Sequence, residues 1–527
     1  MTAAAASAPV SAAERRALFG LPGWLLALGG GGAAGLAHPP FGLLPGLFGF
    51  ALLLHTLDAV PLSRPLRTAF VRGWAAGFAY FLVATWWVGE AFMVDAAAHA
   101  WQAPFAVTLL PAGLALFWGA AALAYRALAP TGVRRVLVFA ALFALTEWLR
   151  GPVLTGFPRD LPGEAWRAGS AVSQSAAAIG AYGLSFVTLA LAVTPAVLWD
   201  TGAKHARLLA SHIAVAVLAL LWIGGAMRLA GPAPLDTALV VRVVQPDIPQ
   251  AVKWSPQAFK GIVDRYVQLT GAPAAKRPDV VIWPEAAIPA LVDGLFAKGE
   301  WTETAFEGAL QPGQALLAGV VRMDGARYYN SLMALRRTDT GFAYLALYDK
   351  FRLVPFGEFL PMEGLFTALG LKKLVAVEGG FTTGPRPAPI EPAGLPRLQP
   401  LICYESLFPG IAKPGGLRPA WIVNVSNDAW FGMTSGPLQH LNLASYRAIE
   451  EGVPLVRATP TGVSGFVDAY GRTLSSLAPG KGGVLDRALP GVAPPTPYTK
   501  WREGPFWLMV LAGLACAWRS KRKAATA

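Results

Sequence analysis

Residues 400–409 read PLICYESLFP, a short apolar run that stops at a cysteine and passes into a polar turn. A run of this length, bounded by turn residues, is the signature of a buried strand. The same pattern recurs on both sides. ALVVRVVQ (238–245), DVVIWPE (279–285), ALLAGVVR (315–322), AWIVNVSN (420–427) and PLVRAT (454–459) are equally short and rich in β-branched residues. Helical periodicity separates them, over SPQAFKGIVDRYVQLTG (255–271) and LQHLNLASYRAIEEG (438–452). Strands alternating with helices predict a layered α/β domain whose strand-end loops carry chemistry. The proline-rich stretch PRPAPIEPAGLPRLQP (385–400) reads as a surface connection within that domain. No fixed-period repeat interrupts the pattern.

Outward from this segment the chain changes character. Of 527 residues, 54% are hydrophobic and 14% charged, against about 25% charged in ordinary soluble domains. Those numbers exclude disorder and an ordinary cytosolic enzyme. Seven apolar stretches fill the first half, at about 17–37, 41–57, 69–93, 103–125, 136–149, 175–199 and 206–229. Most approach the ~20 residues that cross a bilayer as a helix. An eighth, FWLMVLAGLACAW (506–518), is short for a span. Arg15 and Arg16 could mark a twin-arginine signal, but with further spans following they flank a retained first helix. The expected architecture is an α-helical transmembrane bundle of about eight spans plus an α/β domain. Its parts are 1–235 (seven spans), 236–498 (the α/β domain) and 499–527 (the last helix and a basic tail).

The formal net charge is +13, yet residues 236–498 hold 24 basic and 22 acidic side chains, so the excess lies among the apolar stretches. Nucleic-acid binding wants a basic patch on a folded domain, and none is present. The excess instead marks topology. Alternate loops carry Arg15 and Arg16; Arg64, Arg67 and Arg72; Arg126, Arg134 and Arg135; Lys204 and Arg207; and Arg519, Lys521, Arg522 and Lys523. By the positive-inside rule both termini are cytoplasmic and 236–498 lies across the membrane. The two cysteines, Cys403 and Cys516, imply no disulfide framework.

Three strand-end residues of the polar segment stand out. Glu285 closes DVVIWPE, Lys350 sits in ALYDKFRLVPFGEF (346–359), and Cys403 follows PLI. Singly, each has an ordinary reading: a small buried hydrophobe for the cysteine, a solvated charge for the others. Together they carry more. The segment's one histidine, His440, leaves almost no material for a Cys–His pair or a zinc site. A thiol nucleophile would then need a carboxylate base and a nearby cation.

The order Glu285, Lys350, Cys403 within WPE, YDKFRLVPFGEF and ICYES resembles the nitrilase superfamily of carbon–nitrogen hydrolases. With seven spans before the domain and one after, the chain resembles the bacterial apolipoprotein N-acyltransferases. TEWLRG (146–151), TGFP (155–158), VVQPDIPQAVKW (243–254) and NDAWFG (427–432) extend that resemblance over nearly the whole chain. It implies a nitrilase-like αββα sandwich in a multi-pass protein of the bacterial inner membrane, with the catalytic domain periplasmic. It implies that Cys403 accepts an acyl chain from a phospholipid as a thioester. Glu285 would be the general base, and Lys350 would hold the oxyanion and favour the thiolate. The backbone N–H of Tyr404 would be a second oxyanion donor, and Glu358 would orient the lysine or the base. Trp254, Tyr404 and Glu405 match positions the family uses around its site; Trp254 is either a packing residue or a substrate-contacting one. Asn330 in YYNS is either structural or a brace. The implied partners are the phospholipid donor, a diacylated apolipoprotein acceptor and the bilayer, with no cofactor, metal or nucleic acid, and the protein as a monomer. The apolar segment 359–381 reads as a membrane-facing lid, or equally as a buried helix. Two other functions compete: a membrane-tethered amidase acting on a small amide, and a non-enzymatic transporter or scaffold in which Glu147 marks a pathway. Seven spans are more than tethering needs, which favours the acyltransferase.

Overall fold

Eleven strands among the described residues build two sheets. The first has the order β11-β1-β2-β3-β4-β5 and the second β10-β9-β8-β7-β6. In the first, β1 (Val240–Gln245), β2 (Val280–Trp283) and β3 (Ala315–Asp324) run parallel, flanked by antiparallel β4 (Arg327–Thr338), β5 (Gly341–Asp349) and β11 (Gly483–Ala488). In the second, β6 (Leu398–Ile402), β7 (Trp421–Val425) and β8 (Leu455–Ala458) are parallel, with antiparallel β9 (Ser464–Val467) and β10 (Thr473–Leu477) beyond them. This computed structural model describes residues 21–61, 63–200, 204–361, 380–412 and 417–525. Arg15, Arg16 and most of the expected lid, from 362 to 379, lie outside those residues.

The period of two along each strand sorts side chains between faces. Ile282, Leu317 and Leu332 of the first sheet share one core with Leu398, Val423, Val425 and Val456 of the second. Val281, Leu316 and Ala318 face the other way, onto helices α1 (Phe259–Thr270) and α2 (Trp301–Ala309). Leu401, Ile422 and Leu455 meet Ala444 and Ala448 of α3 (Gly436–Glu451). The result is the expected αββα sandwich. Parallel strands buried on both faces need continuous apolar sequence, which is why their six runs stood out.

The chain divides into two units. One is Trp87–Ala103 with Gly231–Thr499, which holds the sandwich; the other is Met1–Trp86, Pro104–Ala230 and Lys500–Ala527. In the second unit, helices cover much of each apolar stretch: Gly23–Gly35, Gly49–Asp58, Pro65–Thr85, Ala103–Leu128, Arg135–Leu149, Ala176–Val193, Lys204–Ala230 and Gly504–Ala525. Among the described residues, three helical segments, Ala96–Leu128, Val172–Trp199 and Lys204–Ala230, are long and apolar enough to cross a membrane. The last helix has 22 residues, about 33 Å at 1.5 Å each. It outruns the apolar run 506–518 because lysine, arginine and alanine are good helix formers and continue it past the point where hydropathy falls. Close packing here uses small residues: a Cβ on Gly31 would overlap the Ala76 carbonyl. Glu147, Arg150 and their neighbours explain the TEWLRG and TGFP motifs. Arg150 ion-pairs with Glu147 and donates to the Phe157 carbonyl at 2.6 Å, while Trp118 Nε1 donates to Glu147 at 2.6 Å. The Glu147 carboxylate is thus engaged in a buried structural knot.

Candidate active site

Each strand end presents its side chain through a local device. Beyond β2, Pro284 and a positive φ of 44° at Ala286 turn the chain at Glu285. Gly319 of β3 makes room there, since a Cβ would lie 2.6 Å from the Glu285 Cα. Beyond β5, the Lys350 N–H donates to the Asn330 carbonyl at 2.8 Å, and the Lys350 carbonyl accepts from Gly384 N–H at 2.8 Å. Beyond β6, Cys403 takes φ 50° at the start of a tight turn, Cys403–Leu407. A non-glycine residue at such a φ costs about 1–3 kcal/mol and persists only where its surroundings enforce it, as functional sites often do.

These devices converge. Lys350 Nζ lies 3.0 Å from Glu285 Oε1 and 2.9 Å from Glu358 Oε2, with all three side chains buried. Asn330 Nδ2 donates to Glu285 Oε1 at 2.7 Å and to Glu358 Oε1 at 2.8 Å. The brace reading of Asn330 therefore holds in the geometry. The Val354 N–H donates to Glu358 Oε2 at 2.8 Å, tying the PFGEF loop to the same group. The Cys403 thiol lies within electrostatic reach of both Glu285 and Lys350.

Glu405 ties the Cys403 turn to the segment around Lys350. Its carboxylate accepts from Ile402 N–H (2.7 Å), Tyr348 O–H (2.6 Å), Phe351 N–H (2.8 Å) and Arg352 N–H (3.2 Å). Tyr404 is buried, with its ring edge-on to Phe408. Trp254 is not part of this hydrogen-bonded group: it stands 47% exposed after the short helix Gln250–Lys253, so it is no packing residue. Sequence reading passed over three participants. Lys253 is 2% exposed, and burial lowers its amine to about 8 against the opposing charge of Glu285. His440, on α3, lies against the Cys403 backbone oxygen and against Asp428 of the NDAWFG turn. Among the described residues no cluster of His, Cys, Asp and Glu is arranged to hold a metal.

The electrostatics differ from the simplest expectation. Burial opposes ionisation of Glu285, but the Lys350 ammonium and the hydrogen bonds from Lys350 and Asn330 hold its carboxyl below the usual range. Burial would also lower Lys350, yet Glu285 and Glu358 keep it firmly protonated. The Cys403 thiol is pushed up to about 12, first by burial and then by Glu285; the opposing pull of Lys350 is too small to offset them. Lys350 therefore does not hold a thiolate at rest. At rest the site holds a thiol near an ionised carboxylate. Alkylation of Cys403 by iodoacetamide in a Cys516→Ala background should rise about tenfold per pH unit from 7 to 10, because thiolate is the reactive form. A plateau below pH 9 would contradict this.

Two sheets flanked by helices make up the α/β domain, and its residues 240–493 match the carbon–nitrogen hydrolase family. Residues 30–194 match the apolipoprotein N-acyltransferase N-terminal domain. The apolipoprotein N-acyltransferase of Caulobacter vibrioides is 55% identical over 493 residues, covering 92% of this chain and 92% of that protein. The enzyme of the same name from Brucella melitensis biotype 1 is 42% identical over 519 residues, covering 93% and 94%. A CN-hydrolase superfamily protein of known structure from Xanthomonas campestris is 19% identical and covers 52% of this chain and 96% of its own, at a TM-score of 0.34. The chain belongs to the apolipoprotein N-acyltransferase family.

Proposed function

We propose that the protein transfers a fatty acyl chain from a membrane phospholipid to the α-amino group of the diacylglyceryl-cysteine of apolipoproteins, through a thioester on Cys403. The observation that carries this reading is the buried Glu285–Lys350 ion pair with the buried Cys403 thiol in electrostatic reach of both, in a chain of this family. In the first half-reaction Glu285 takes the thiol proton as Sγ attacks the ester carbonyl carbon. Lys350 Nζ and the Tyr404 N–H hold the oxyanion, a type of contact worth about 3 kcal/mol per donor. The intermediate collapses by breaking the ester C–O bond, and Glu285 returns the proton to the departing lysophospholipid oxygen. In the second half-reaction the acceptor amine attacks the thioester carbon, Glu285 takes a proton from the amine, and the C–S bond breaks. The amide leaves and the thiol is restored. Glu358 and Asn330 position the lysine and the base, Glu405 holds the turn, and half-exposed Trp254 contacts substrate.

The chain crosses the bacterial inner membrane eight times as a monomer, with both termini cytoplasmic and residues 236–498 periplasmic. The alternating loop arginines and the helix in each apolar stretch support this topology. A membrane-resident enzyme meets both lipidated substrates without extracting them, a step that costs about 0.8 kcal/mol per CH₂. Incubating the purified protein with a phospholipid of one defined acyl chain should add one acyl mass, less one hydrogen, to the peptide containing Cys403. Unmodified Cys403 while turnover proceeds would sink the covalent route.

A further inference from the structure

Beneath the nucleophile turn lies a buried polar network that the reaction scheme above does not use. His440, 1% exposed, sits in the second turn of α3. Its Nε2 is 3.2 Å from the Cys403 carbonyl oxygen and 3.0 Å from Ser406 Oγ, and its Nδ1 is 2.9 Å from Asp428 Oδ1. Asp428 is locked in turn. It accepts from Arg457 Nη2 at 2.8 and 2.7 Å and from Ser426 Oγ at 2.9 Å. Burial opposes its charge, but Arg457 and His440 keep it ionised, well below the usual carboxylate range.

The hydrogen bonds constrain the ring. A carboxylate only accepts, so Nδ1 carries a proton. Ser406 O–H donates to the Cys403 carbonyl at 2.9 Å, and that carbonyl can give nothing to Nε2. A ring protonated on both nitrogens satisfies every one of these contacts. It then gives the Cys403 carbonyl a second donor.

That carbonyl belongs to the peptide joining Cys403 to Tyr404. Across a planar trans peptide the C=O and N–H point in opposite directions. Whatever grips the Cys403 oxygen therefore aims the Tyr404 N–H. A donor on the oxygen also polarises the unit and strengthens the N–H as a donor. We propose that His440 is a positioning residue that holds the Cys403–Tyr404 peptide plane, enforcing the strained backbone of the nucleophile and aiming the Tyr404 N–H at the oxyanion. This rests on the reading of Cys403 as nucleophile and of the Tyr404 N–H as oxyanion donor.

The test uses full-length protein in phospholipid nanodiscs with a diacylated lipopeptide acceptor, and compares His440→Gln, His440→Asn and His440→Phe with Cys403→Ala. Gln reaches the Nε2 position with an N–H, Asn reaches only the Nδ1 position, and Phe offers no donor. His440→Phe should lower kcat about 10²-fold, the loss typical of one oxyanion donor, with KM for phospholipid within about twofold of the parent. His440→Gln should recover to within about tenfold of the parent, and His440→Asn should remain as slow as Phe. A His440→Phe protein within about threefold of the parent in kcat overturns the proposal. So does His440→Asn matching or exceeding His440→Gln, a comparison that decides the matter if Phe prevents folding. Cys403→Ala separates the two readings. If it still forms product, the nucleophile assignment fails; if it is inactive while His440→Phe is fully active, only the role of His440 fails.

Discussion

Cys403→Ala should yield a folded protein whose acyl transfer falls about 10⁶-fold, the scale on which a covalent nucleophile's loss is felt elsewhere. The side chain is 8% exposed and lies at the edge of the core between the sheets. Its removal deletes one sulfur and leaves Glu285 still paired with Lys350 and Asn330, so about 1 kcal/mol of stability is at stake. Activity and stability therefore separate. Cys403→Ser should be nearly as inactive, because a serine hydroxyl is a weaker nucleophile and a carboxylate held below its usual range is a poor base for it. A lipopeptide acylation assay run beside a thermal melt checks both effects. Retention of more than about 1% of parent activity in Cys403→Ala would remove the thioester from the mechanism.

Lys350→Met is expected to damage fold and chemistry together. The ammonium stands between two buried carboxylates, 3.0 Å from Glu285 and 2.9 Å from Glu358. Taking one partner from a buried ion group costs about 3–5 kcal/mol, because the remaining charge is left unpaired. Oxyanion support would also go, for a further loss of about 10³-fold in kcat. The pH dependence has a definite sign. With Lys350 present, Glu285 is depressed, so its contribution to stability is present above the ordinary carboxylate pKa and is lost as pH falls through the lower folded value. Without the cation, one of two adjacent buried carboxylates must retain a proton, and folded stability falls as pH rises past the ordinary carboxylate range. The deficit of Lys350→Met in thermal melting should accordingly be larger at pH 7 than at pH 5. An equal deficit at both would show that the lysine is not balancing these charges.

Much of this arrangement was legible before any coordinates. The six parallel strands are buried on both faces, so each is a continuous apolar run. Antiparallel β4, β9, β10 and β11 mix polar and apolar residues, as in RYYNSLMALRRT and TLSSL, and so carry no continuous apolar run to mark them. Glu285, Lys350 and Cys403 were visible because each ends a readable run. Asn330 was undecidable for a different reason. It lies inside β4, opposite Val321 and one residue before the partner of Asp349, and only the register of β3, β4 and β5 brings it to two carboxylates. His440 was counted only as evidence against a Cys–His pair. Its contact is with a backbone oxygen 37 residues away, and no spacing rule encodes that. The thiol's high pKa was equally invisible, since it depends on burial.

The two sheets contribute unlike parts to the site. Glu285, Asn330 and Lys350 stand on or just past strands of the first sheet, while Cys403 follows a strand of the second. Neither sheet alone holds all three side chains. During synthesis Glu285 and Lys350 are made some fifty residues or more before Cys403, so on the proposed reading the three side chains meet only once β6 packs against the first sheet. A partly made chain would then lack the assembled site, and completing the fold would double as the step that arms it.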